Sequence, residues 1–535
     1  MIYIKSVHIE NYKCFENLDI DFNKNVNIIV GNNEAGKSTI LEAINLCLSG
    51  TINNRYLRNE LNEYFFNTKV VKAFLADSNL PPPKLLIEVY LSSDESEINK
   101  TLEWLTGSMN SKKISSPGIK LEVCFDDKYQ EEYSIYKNTS DKKSFPVEYY
   151  KIIWSSFAKD EVSTRSIPLK PNVIDASGTK YKNGSDYYIS KIISNQLNPE
   201  DIVELTQAIR GLKEKFKDET ALKKINEKIA ECDRISKKQV SVSVNTTEIN
   251  AWENLLNTYI DDIPFSQIGQ GEKSIIKTNL ALSTIKEDID NVVLIEEPEN
   301  HLSHANLNGL LRTIEENNSE RQVIITTHSS FVANKLGLQN LLFINDKKVS
   351  YFKDIEEDTQ NYFKKLAGYE TLRVILSNKS ILVEGPSDEL IVQKAYQIAN
   401  KNHLPIEDGI DVISVKGIQA RRFLNLAKKL PMKIAVVTDN DGNYANNITE
   451  RYKEYLSNNI QVFSNTNNDQ NTLEPSFAAC NDETVLKTLL KYNGKKTISE
   501  YMQTCKSEWA YQVFYSDKQF NFPDYINECI KWINQ

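Results

Sequence analysis

The chain is predicted to be an α/β protein, because its chemically distinctive residues stand where buried strands end and helices begin. Residues 26–30 form a strand-like run that leads into the glycine-rich segment 31–38 (GNNEAGKS), and a helical pattern follows. The apolar runs 292–295, 380–383 and 433–437 also end in or just before acidic residues. Strands that alternate with helices are typical of parallel α/β sheets.

The composition favours an ordinary globular protein of more than one domain. The 535 residues are enough for roughly two to four domains, and the 40% hydrophobic and 26% charged fractions are unexceptional. No apolar run approaches the roughly 20 residues that a membrane span requires, and the N-terminus resembles a strand rather than a secretion signal. We therefore expect a cytoplasmic protein with no membrane association.

The cysteine and histidine content limits the kind of metal site. Seven cysteines are scattered without any CxxC pair and only five histidines are present, which argues against zinc modules and disulfide frameworks. A metal site would be built from carboxylates, which favours Mg²⁺ or Mn²⁺. The net charge of −9 weakens a nucleic-acid-binding interpretation without excluding it, because basic residues can still cluster near a cleft.

The segment 31–38 is predicted to be a P-loop that binds ATP, because strand, glycine-rich loop and helix follow one another as this motif requires. The predicted nucleotide ligands are Asn33, Gly36, Lys37, Ser38 and Thr39. Backbone N–H groups and the helix N-terminus would surround the phosphates. Lys37 would reach the β- and γ-phosphates, and Ser38 would bind Mg²⁺. A chance glycine-rich turn is the alternative.

The predicted strand 292–295 ends in Glu296 and Glu297. Glu296 would hold Mg²⁺ through water and Glu297 would orient the attacking water; an exposed strand end is the alternative interpretation. Gly269 and Gly271 open a predicted helix upstream, and a predicted strand downstream, 323–327, ends at His328.

The order of P-loop, glycine signature, Glu-Glu strand and His strand resembles the ABC-type ATPase head of the SMC and RecF class, as does the early segment 11–15 (NYKCF). The resemblance implies a dimer in which ATP lies between the P-loop of one subunit and the signature, Gly269 and Gly271, of the other. It also implies that His328 contacts the γ-phosphate region. Gly269 departs from the usual serine of the signature, which puts rapid hydrolysis in doubt. Glu296 replaces the usual aspartate and preserves the carboxylate.

Roughly 230 residues separate the P-loop from the signature, too many for one loop. Part of them is expected to complete the ATPase sheet, with predicted strands at 85–91 and 119–123. Apolar residues at helical spacing over 202–216 and 222–232 predict two amphipathic helices that pair as a hairpin. The hairpin could serve dimerisation or pack on its own domain.

Two further strand ends carry acidic residues. Glu384 ends one predicted strand, and Asp388 falls on the next helix, four residues later. Asp439 and Asp441 follow a second strand and alternate toward one side. Carboxylates at adjacent strand ends repel one another unless a cation lies between them, which predicts a metal site. Solvated turns are the alternative.

This second arrangement resembles the TOPRIM fold, a Rossmann-like fold, and an ATPase head followed by TOPRIM resembles the OLD (overcoming lysogenization defect) family nucleases. That family includes the Gabija nuclease subunit and some retron effectors. The resemblance implies a catalytic, metal-binding set of Glu384, Asp388, Asp439 and Asp441, with Glu474 as a further metal ligand. It also implies that Lys506 acts near the scissile phosphate; an exposed helix lysine is the alternative.

Three domains are predicted. An ATPase head is formed by residues 1–175 and 256–368, a helical insertion for dimerisation by residues 176–255, and a TOPRIM nuclease domain by residues 369–535. A basic stripe beside the second site could follow a DNA backbone or be a solvated face; its members are Lys416, Arg421, Arg422, Lys428 and Lys429.

Our first functional hypothesis is an ATP-regulated DNA endonuclease or nickase that uses Mg²⁺ or Mn²⁺, acting in antiphage defence. Its expected partners are double-stranded DNA, further copies of the chain in a dimer or tetramer, and an operon-encoded defence partner, either a protein or retron nucleic acid. The second hypothesis is a RecF-like or SMC-like DNA-binding repair ATPase with a non-catalytic TOPRIM domain. A topoisomerase would need a tyrosine in another domain, and a primase usually brings a zinc module.

Overall fold

The computed structural model of the chain divides into two units. The first unit holds residues 1–29, 33–327 and 346–348, and the second holds 30–32, 328–345 and 349–535. The structure describes residues 1–52, 55–77, 79–93, 99–137, 144–175, 181–182, 185–186, 199–217, 219–231, 259–282, 290–317, 321–352, 357–365, 371–415, 420–428, 432–505 and 507–535.

A parallel sheet in the first unit carries the P-loop. Four neighbouring strands of this sheet, in spatial order, are Leu169–Asp175, Asp290–Glu296, Gln322–Thr326 and Val26–Gly31. Val26–Gly31 and Gln322–Thr326 are largely apolar and buried along their whole length, as parallel strands covered by helices require. The predicted strands at 26–30, 292–295 and 323–327 are therefore confirmed to within about two residues, the usual uncertainty of an element boundary.

A separate antiparallel sheet forms the other layer of this unit. Its strands, in spatial order, are Phe15–Asp21, Ile2–Tyr12, Leu85–Ser93, Ser116–Phe125 and Thr106–Gly107, and Tyr150–Ser156 also pairs with Ser116–Phe125. The predicted strands at 85–91 and 119–123 are present, within Leu85–Ser93 and Ser116–Phe125, and they lie in this antiparallel sheet rather than in the sheet that carries the P-loop. Leu85–Ser93 pairs with the N-terminal strand Ile2–Tyr12 and with Ser116–Phe125, because an apolar run specifies a strand and not its partner.

The helices of the first unit begin with Lys37–Ser49, the P-loop helix, which follows the P-loop strand as predicted. The predicted helices of the insertion are also present, as Pro199–Lys217 and Thr220–Glu231, and they contact each other. Cys232, at the end of the predicted second helix, lies outside the described residues. The other α-helices that the described residues of this unit form are Leu57–Glu60, Thr68–Ala76, Asn99–Glu103, Gln130–Lys137, Gln270–Leu282 and His304–Asn317.

The second unit is built on a four-stranded parallel sheet in the order Ile410–Ser414, Lys379–Val383, Lys433–Val437 and Ile460–Phe463. Its core packs the two central strands against aromatic side chains of the C-terminal helices. Two further strands are Leu341–Asn345 and Lys348–Tyr351. The helices are Ser330–Leu336, Glu357–Lys365, Thr371–Leu376, Pro386–Ala399, Ala420–Ala427, Ala445–Glu450, Leu473–Ala479, Glu483–Leu489, Ile498–Cys505, Glu508–Tyr515 and Asp524–Asn534.

Within the described ranges, no helix is both long enough and apolar enough to cross a bilayer.

Candidate functional sites

Gly36 closes the P-loop in a conformation and a space that only glycine fits. Its φ is +103°, and it caps the N-terminus of the P-loop helix. A Cβ atom at this position would lie 2.4 Å from Cζ of Phe15 and 2.7 Å from Sγ of Cys14. Cys14 and Phe15 of the segment NYKCF therefore pack directly against the P-loop turn at Gly36 and leave no room for a side chain there.

Lys37 is nearly buried beside a group of glutamates. Burial lowers the pKa of its amine, and the charges of Glu297, Glu296 and Glu299 act in the opposite direction. The hydroxyl of Ser38 donates a hydrogen bond to Oε1 of Glu296. The end of the strand Asp290–Glu296 therefore faces the P-loop, although Ser38 and Glu296 are separated by 258 residues. A hydroxyl beside a carboxylate is the donor set that Mg²⁺ with ATP takes at P-loops.

Glu297 is held in position by its backbone and by a neighbour. Its φ is +43°, a conformation rare for a residue with a side chain. Its N–H donates a 2.9 Å hydrogen bond to the carbonyl of Thr326, and Nδ2 of Asn300 donates a 2.8 Å hydrogen bond to its Oε2. Such residues persist where the surroundings impose them, and functional sites are enriched in them.

The two signature glycines have different surroundings. A Cβ at Gly271 would lie 2.4 Å from the carbonyl oxygen of His301, so close packing requires a glycine there. Gly269 has open space around it, since a Cβ added there would meet no heavy atom of the described residues within 4 Å. His328 follows the strand Gln322–Thr326 by two residues. Contacts of Asn33, Thr39, Gly269 and His328 with ATP stay predictions.

The carboxyl ends of two adjacent strands meet in the second unit. Lys379–Val383 and Lys433–Val437 run parallel, with Val383 opposite Val437. Oε1 of Glu384 accepts hydrogen bonds from the hydroxyl of Thr438 and, at 3.0 Å, from the N–H of Asp439. Glu384 therefore links the two strand ends directly.

Asp388 and Asp439 lie within a shared field of negative charge. Burial raises the pKa of Asp388 to about 7, with further contributions from Glu384 and Glu474. Burial raises the pKa of Asp439 to about 9, and the charges of Asp388, Glu384, Glu474 and Asp441 add to the shift. The structure thus brings together the predicted carboxylates from two strand ends, one helix and a later segment.

Neighbouring groups orient the carboxylates of Asp388 and Glu474 through hydrogen bonds. Asp388 accepts a 3.1 Å hydrogen bond from the N–H of Gly385, and Glu474 accepts one of 2.9 Å from the hydroxyl of Thr472. Asp441 has a φ of +48°. In the described part of the chain, no three acidic, histidine or cysteine side chains lie together in a group that could hold a metal ion. The hard oxygen donors and their mutual repulsion nevertheless suit Mg²⁺, which usually keeps several of its waters.

Sequence reasoning missed Asn440, which fixes the turn between the two aspartates. Asn440 is buried, and its Nδ2 donates hydrogen bonds of 2.6 Å to the carbonyl of Asn465 and 2.9 Å to that of Asn467. Its Oδ1 accepts a 2.8 Å hydrogen bond from the N–H of Gly442. Asn-Asp-Gly is a turn sequence, and this was the available signal.

Two tyrosines also approach the carboxylates without any sequence signal. Burial raises the pKa of Tyr525 well above its usual value, with contributions from Asp439 and Asp388. Burial likewise raises the pKa of Tyr452, which hydrogen-bonds with Thr438 beside Glu384. The phenol groups of Tyr525 and Tyr452, which come from later parts of the chain, therefore lie close enough to the carboxylates to interact with them.

The predicted basic stripe is only partly supported. Arg422 pairs with the carboxylate of Asp358 at 2.8 Å and stacks on the ring of Tyr362 at 4.5 Å, so it stabilises the domain rather than presenting a free charge. Arg421 and Lys428 are exposed, and Lys428 lies 4.1 Å from the ring centroid of Tyr455. Lys416, Gly417, Lys429 and the predicted catalytic Lys506 lie outside the described residues.

The fold and these sites define a P-loop ATPase with an acidic parallel-sheet domain after it. A model of the AAA ATPase domain family matches residues 2–333, and a model of the overcoming lysogenization defect protein-like TOPRIM domain matches residues 375–441. The chain belongs to this AAA ATPase family and carries an OLD-like TOPRIM domain. The predicted fold class and the OLD-type architecture are confirmed.

Several curated relatives are similar to the chain. "Retron Vc95 probable ATPase" of Vibrio cholerae is 24% identical over 452 residues, covering 74% of this chain and 82% of the relative. "DNA replication and repair protein RecF" of Clostridium beijerinckii is 23% identical, covering 66% of this chain and 96% of the relative. The RecF of Clostridium acetobutylicum is 49% identical over only 49 residues, which is 14% of its length.

Solved structures show a distant likeness. The structure of RecF with ATP is 13% identical and covers 66% of this chain and 99% of that chain, with a TM-score of 0.34. The Smc head domain of Pyrococcus furiosus, bound to the C-terminal domain of ScpA, is 12% identical. The match covers 65% of this chain and 95% of the Smc chain, with a TM-score of 0.34.

Proposed function

We propose that this ATPase is a DNA endonuclease or nickase that uses Mg²⁺ or Mn²⁺ and is regulated by ATP. The observation that carries the proposal is that Glu384, Asp439 and Asp441, at two adjacent strand ends, and Asp388, on the helix that follows one of them, share one field of negative charge. A purely structural domain has no evident reason to keep buried carboxylates in mutual repulsion, since each costs stability when it ionises.

In this proposal the four carboxylates and Glu474 hold divalent cations. When bound, these ions would supply activation of a water and charge stabilisation at the leaving 3′ oxygen. The N–H of Asp439 and the hydroxyl of Thr438 both bind Oε1 of Glu384, and its second oxygen, Oε2, would be the one to hold a cation. Lys506 would stabilise charge on the scissile phosphate or act as a general acid.

ATP would control access to the nuclease site through dimerisation of the ATPase head. In each head, Lys37 and Ser38 would bind the phosphates and Mg²⁺, and Glu297 would orient the attacking water. The partner head would contribute Gly269 and Gly271. His328 would contact the γ-phosphate region. Closure of the dimer would then change the exposure of the TOPRIM sites.

The test is cleavage of supercoiled plasmid with Mg²⁺ or Mn²⁺, with and without ATP. We expect nicked or linear product that disappears in Asp439→Ala and persists in Glu454→Gln, a control at an exposed glutamate of the same unit. Product in all three proteins would point to a contaminating nuclease and contradict the proposal. The ATP lanes give the sign of the regulation.

A RecF-like repair ATPase is the second candidate, because a RecF relative aligns over 66% of the chain. It would bind double-stranded DNA and use the TOPRIM domain to recruit other proteins. DNA-stimulated ATP hydrolysis without metal-dependent cutting, in the wild-type protein, would favour this candidate over the nuclease.

The proposed setting is antiphage defence in the cytoplasm, which the similarity to a retron ATPase supports. The proposed assembly is a homodimer or tetramer, with a defence partner encoded in the same operon. Co-expression of neighbouring genes with the chain, followed by purification of the complex, tests for that partner.

A further inference from the structure

A cavity of about 590 Å³ lies in the first unit, beside the C-terminal end of the P-loop helix. Its lining combines leucine, isoleucine and valine side chains with aromatic ones, among them Tyr56, Tyr129 and Trp154. Its volume is in the range of ordinary small-ligand pockets, which combine apolar and aromatic walls with a few polar groups. Neither of the two sites described above uses it.

The polar lining of this cavity carries a small positive charge. Lys128 and Lys151 both pair with Asp126, at 3.0 Å and 3.4 Å. Arg58 is exposed and forms no ion pair with any residue in the described ranges. Tyr56, two residues before it, has 68% of its surface exposed. A guanidinium and an exposed aromatic ring that line one cavity are a combination that can bind a phosphate and stack a planar base.

The cavity is attached to the helix that carries the ATP site. Gly50 caps the C-terminus of the P-loop helix with a φ of +66°, and a Cβ there would lie 2.8 Å from Cζ3 of Trp154. Nε1 of Trp154 donates a 2.8 Å hydrogen bond to the carbonyl of Cys47 in the last turn. Lys37 and Ser38 begin the same helix, about 20 Å away along its axis.

We propose that this cavity is a second nucleotide site, which takes a nucleoside monophosphate and adjusts ATP binding through the P-loop helix. The base would stack on Tyr56 or Tyr129, and Arg58 would bind the phosphate. Asp126 and Glu148 also line the cavity and offset part of its positive charge, which suits one phosphate better than three. The inference depends on ATP binding at the P-loop and not on the proposed nuclease.

The first test measures binding to the full chain while the P-loop is saturated with ATPγS and Mg²⁺. AMP, GMP, CMP and UMP are titrated in turn by calorimetry. We expect at least one of them to bind once per chain. Arg58→Ala should weaken that binding about tenfold or more, because it removes a charge-assisted hydrogen bond. Arg55→Ala is the matched control, since Arg55 is exposed, pairs with Glu60 and does not line the cavity.

The second test measures the affinity for ATPγS with and without the bound monophosphate. We expect a change of about fivefold or more, the lower end of ordinary coupling between two sites. Three results would overturn the proposal: no monophosphate binds at millimolar concentration, Arg58→Ala and Arg55→Ala bind equally well, or only an oligonucleotide binds. Unchanged ATPγS affinity would overturn the regulatory role of the site.

Discussion

The backbone N–H of Asp439 donates a 3.0 Å hydrogen bond to the carboxylate of Glu384, which joins the ends of two parallel strands in the second unit. Because strand ends of one sheet lie side by side, two acidic segments that are 55 residues apart form one site. Burial and the charges of acidic neighbours raise the pKa of Asp388 and of Asp439, so both carboxyls stay protonated to a higher pH than usual. A cation in this site would relieve that repulsion.

The first prediction concerns the stability of the site without metal. The folded-state pKa of Asp439 is about 9, above the usual 3.8, so folding takes up a proton between these values and stability falls as pH rises through that window. Asp439→Asn removes this cost. In EDTA at pH 8 the variant should be more stable than wild type by at least about 1 kcal/mol, the equivalent of one pKa unit.

Thermal unfolding at pH 4 and pH 8 checks this sign. The advantage of Asp439→Asn should shrink at pH 4, where the wild-type carboxyl is largely protonated in the folded state and about half protonated in the unfolded chain. Mg²⁺ should raise the Tm of the wild type and have little effect on the variant. A variant that is less stable than wild type at pH 8 in EDTA would contradict the raised pKa.

The second prediction concerns Glu297. Glu297→Gln should slow ATP hydrolysis by about 10² to 10⁴, the usual contribution of a positioned general base, while ATP binding persists. The closed dimer should therefore accumulate with ATP and be visible by light scattering. Asn300→Ala, which removes the 2.8 Å hydrogen bond to Glu297, should give a smaller decrease. Normal hydrolysis in Glu297→Gln would remove Glu297 from the mechanism.

The third prediction separates the two signature glycines. Gly269→Ser places its side chain in open space and should leave the Tm unchanged, while it adds a hydroxyl that can face the γ-phosphate of a partner head. We expect faster ATP hydrolysis in this variant. Gly271→Ser brings its Cβ to 2.4 Å from the carbonyl of His301 and should lower the Tm. Equal losses of stability in both variants would contradict the difference between open space at Gly269 and close packing at Gly271.

The fourth prediction concerns Asn440. Asn440→Asp replaces an amide donor by a carboxylate that faces the carbonyls of Asn465 and Asn467. The lost donor should cost about 1–3 kcal/mol and displace the turn that carries Asp439 and Asp441. Plasmid cutting should fall sharply, with ATP binding preserved. Calorimetric unfolding and nucleotide titration measure the two effects, and full cutting activity would show that the turn tolerates the change.

Much of both sheets could be predicted because buried parallel strands are short apolar runs with sharp polar ends. The strand Lys379–Val383 differs from the prediction by one residue. The sites followed from the same logic, since glycines and carboxylates at strand ends mark where parallel sheets bind ligands. Glu384 and Asp439 were found together for this reason.

What could not be predicted depends on contacts between distant segments. The apolar run in Leu85–Ser93 does not reveal that its partner is Ile2–Tyr12. Arg422 looked like a free surface charge until Asp358, 64 residues earlier, proved to pair with it. Tyr525 approaches Asp439 only because the C-terminal helix packs on the sheet. No local pattern encodes these relations.

The proposed function requires that the TOPRIM carboxylates cut DNA through a site separate from the nucleotide site. The decisive experiment measures plasmid cleavage and ATPγS affinity of the Asp439→Ala variant and compares both with the wild type. We predict that cleavage is abolished and that ATPγS binds with wild-type affinity. Undiminished cleavage would contradict the assignment of the nuclease site, and loss of both activities would contradict the division of labour between the two domains.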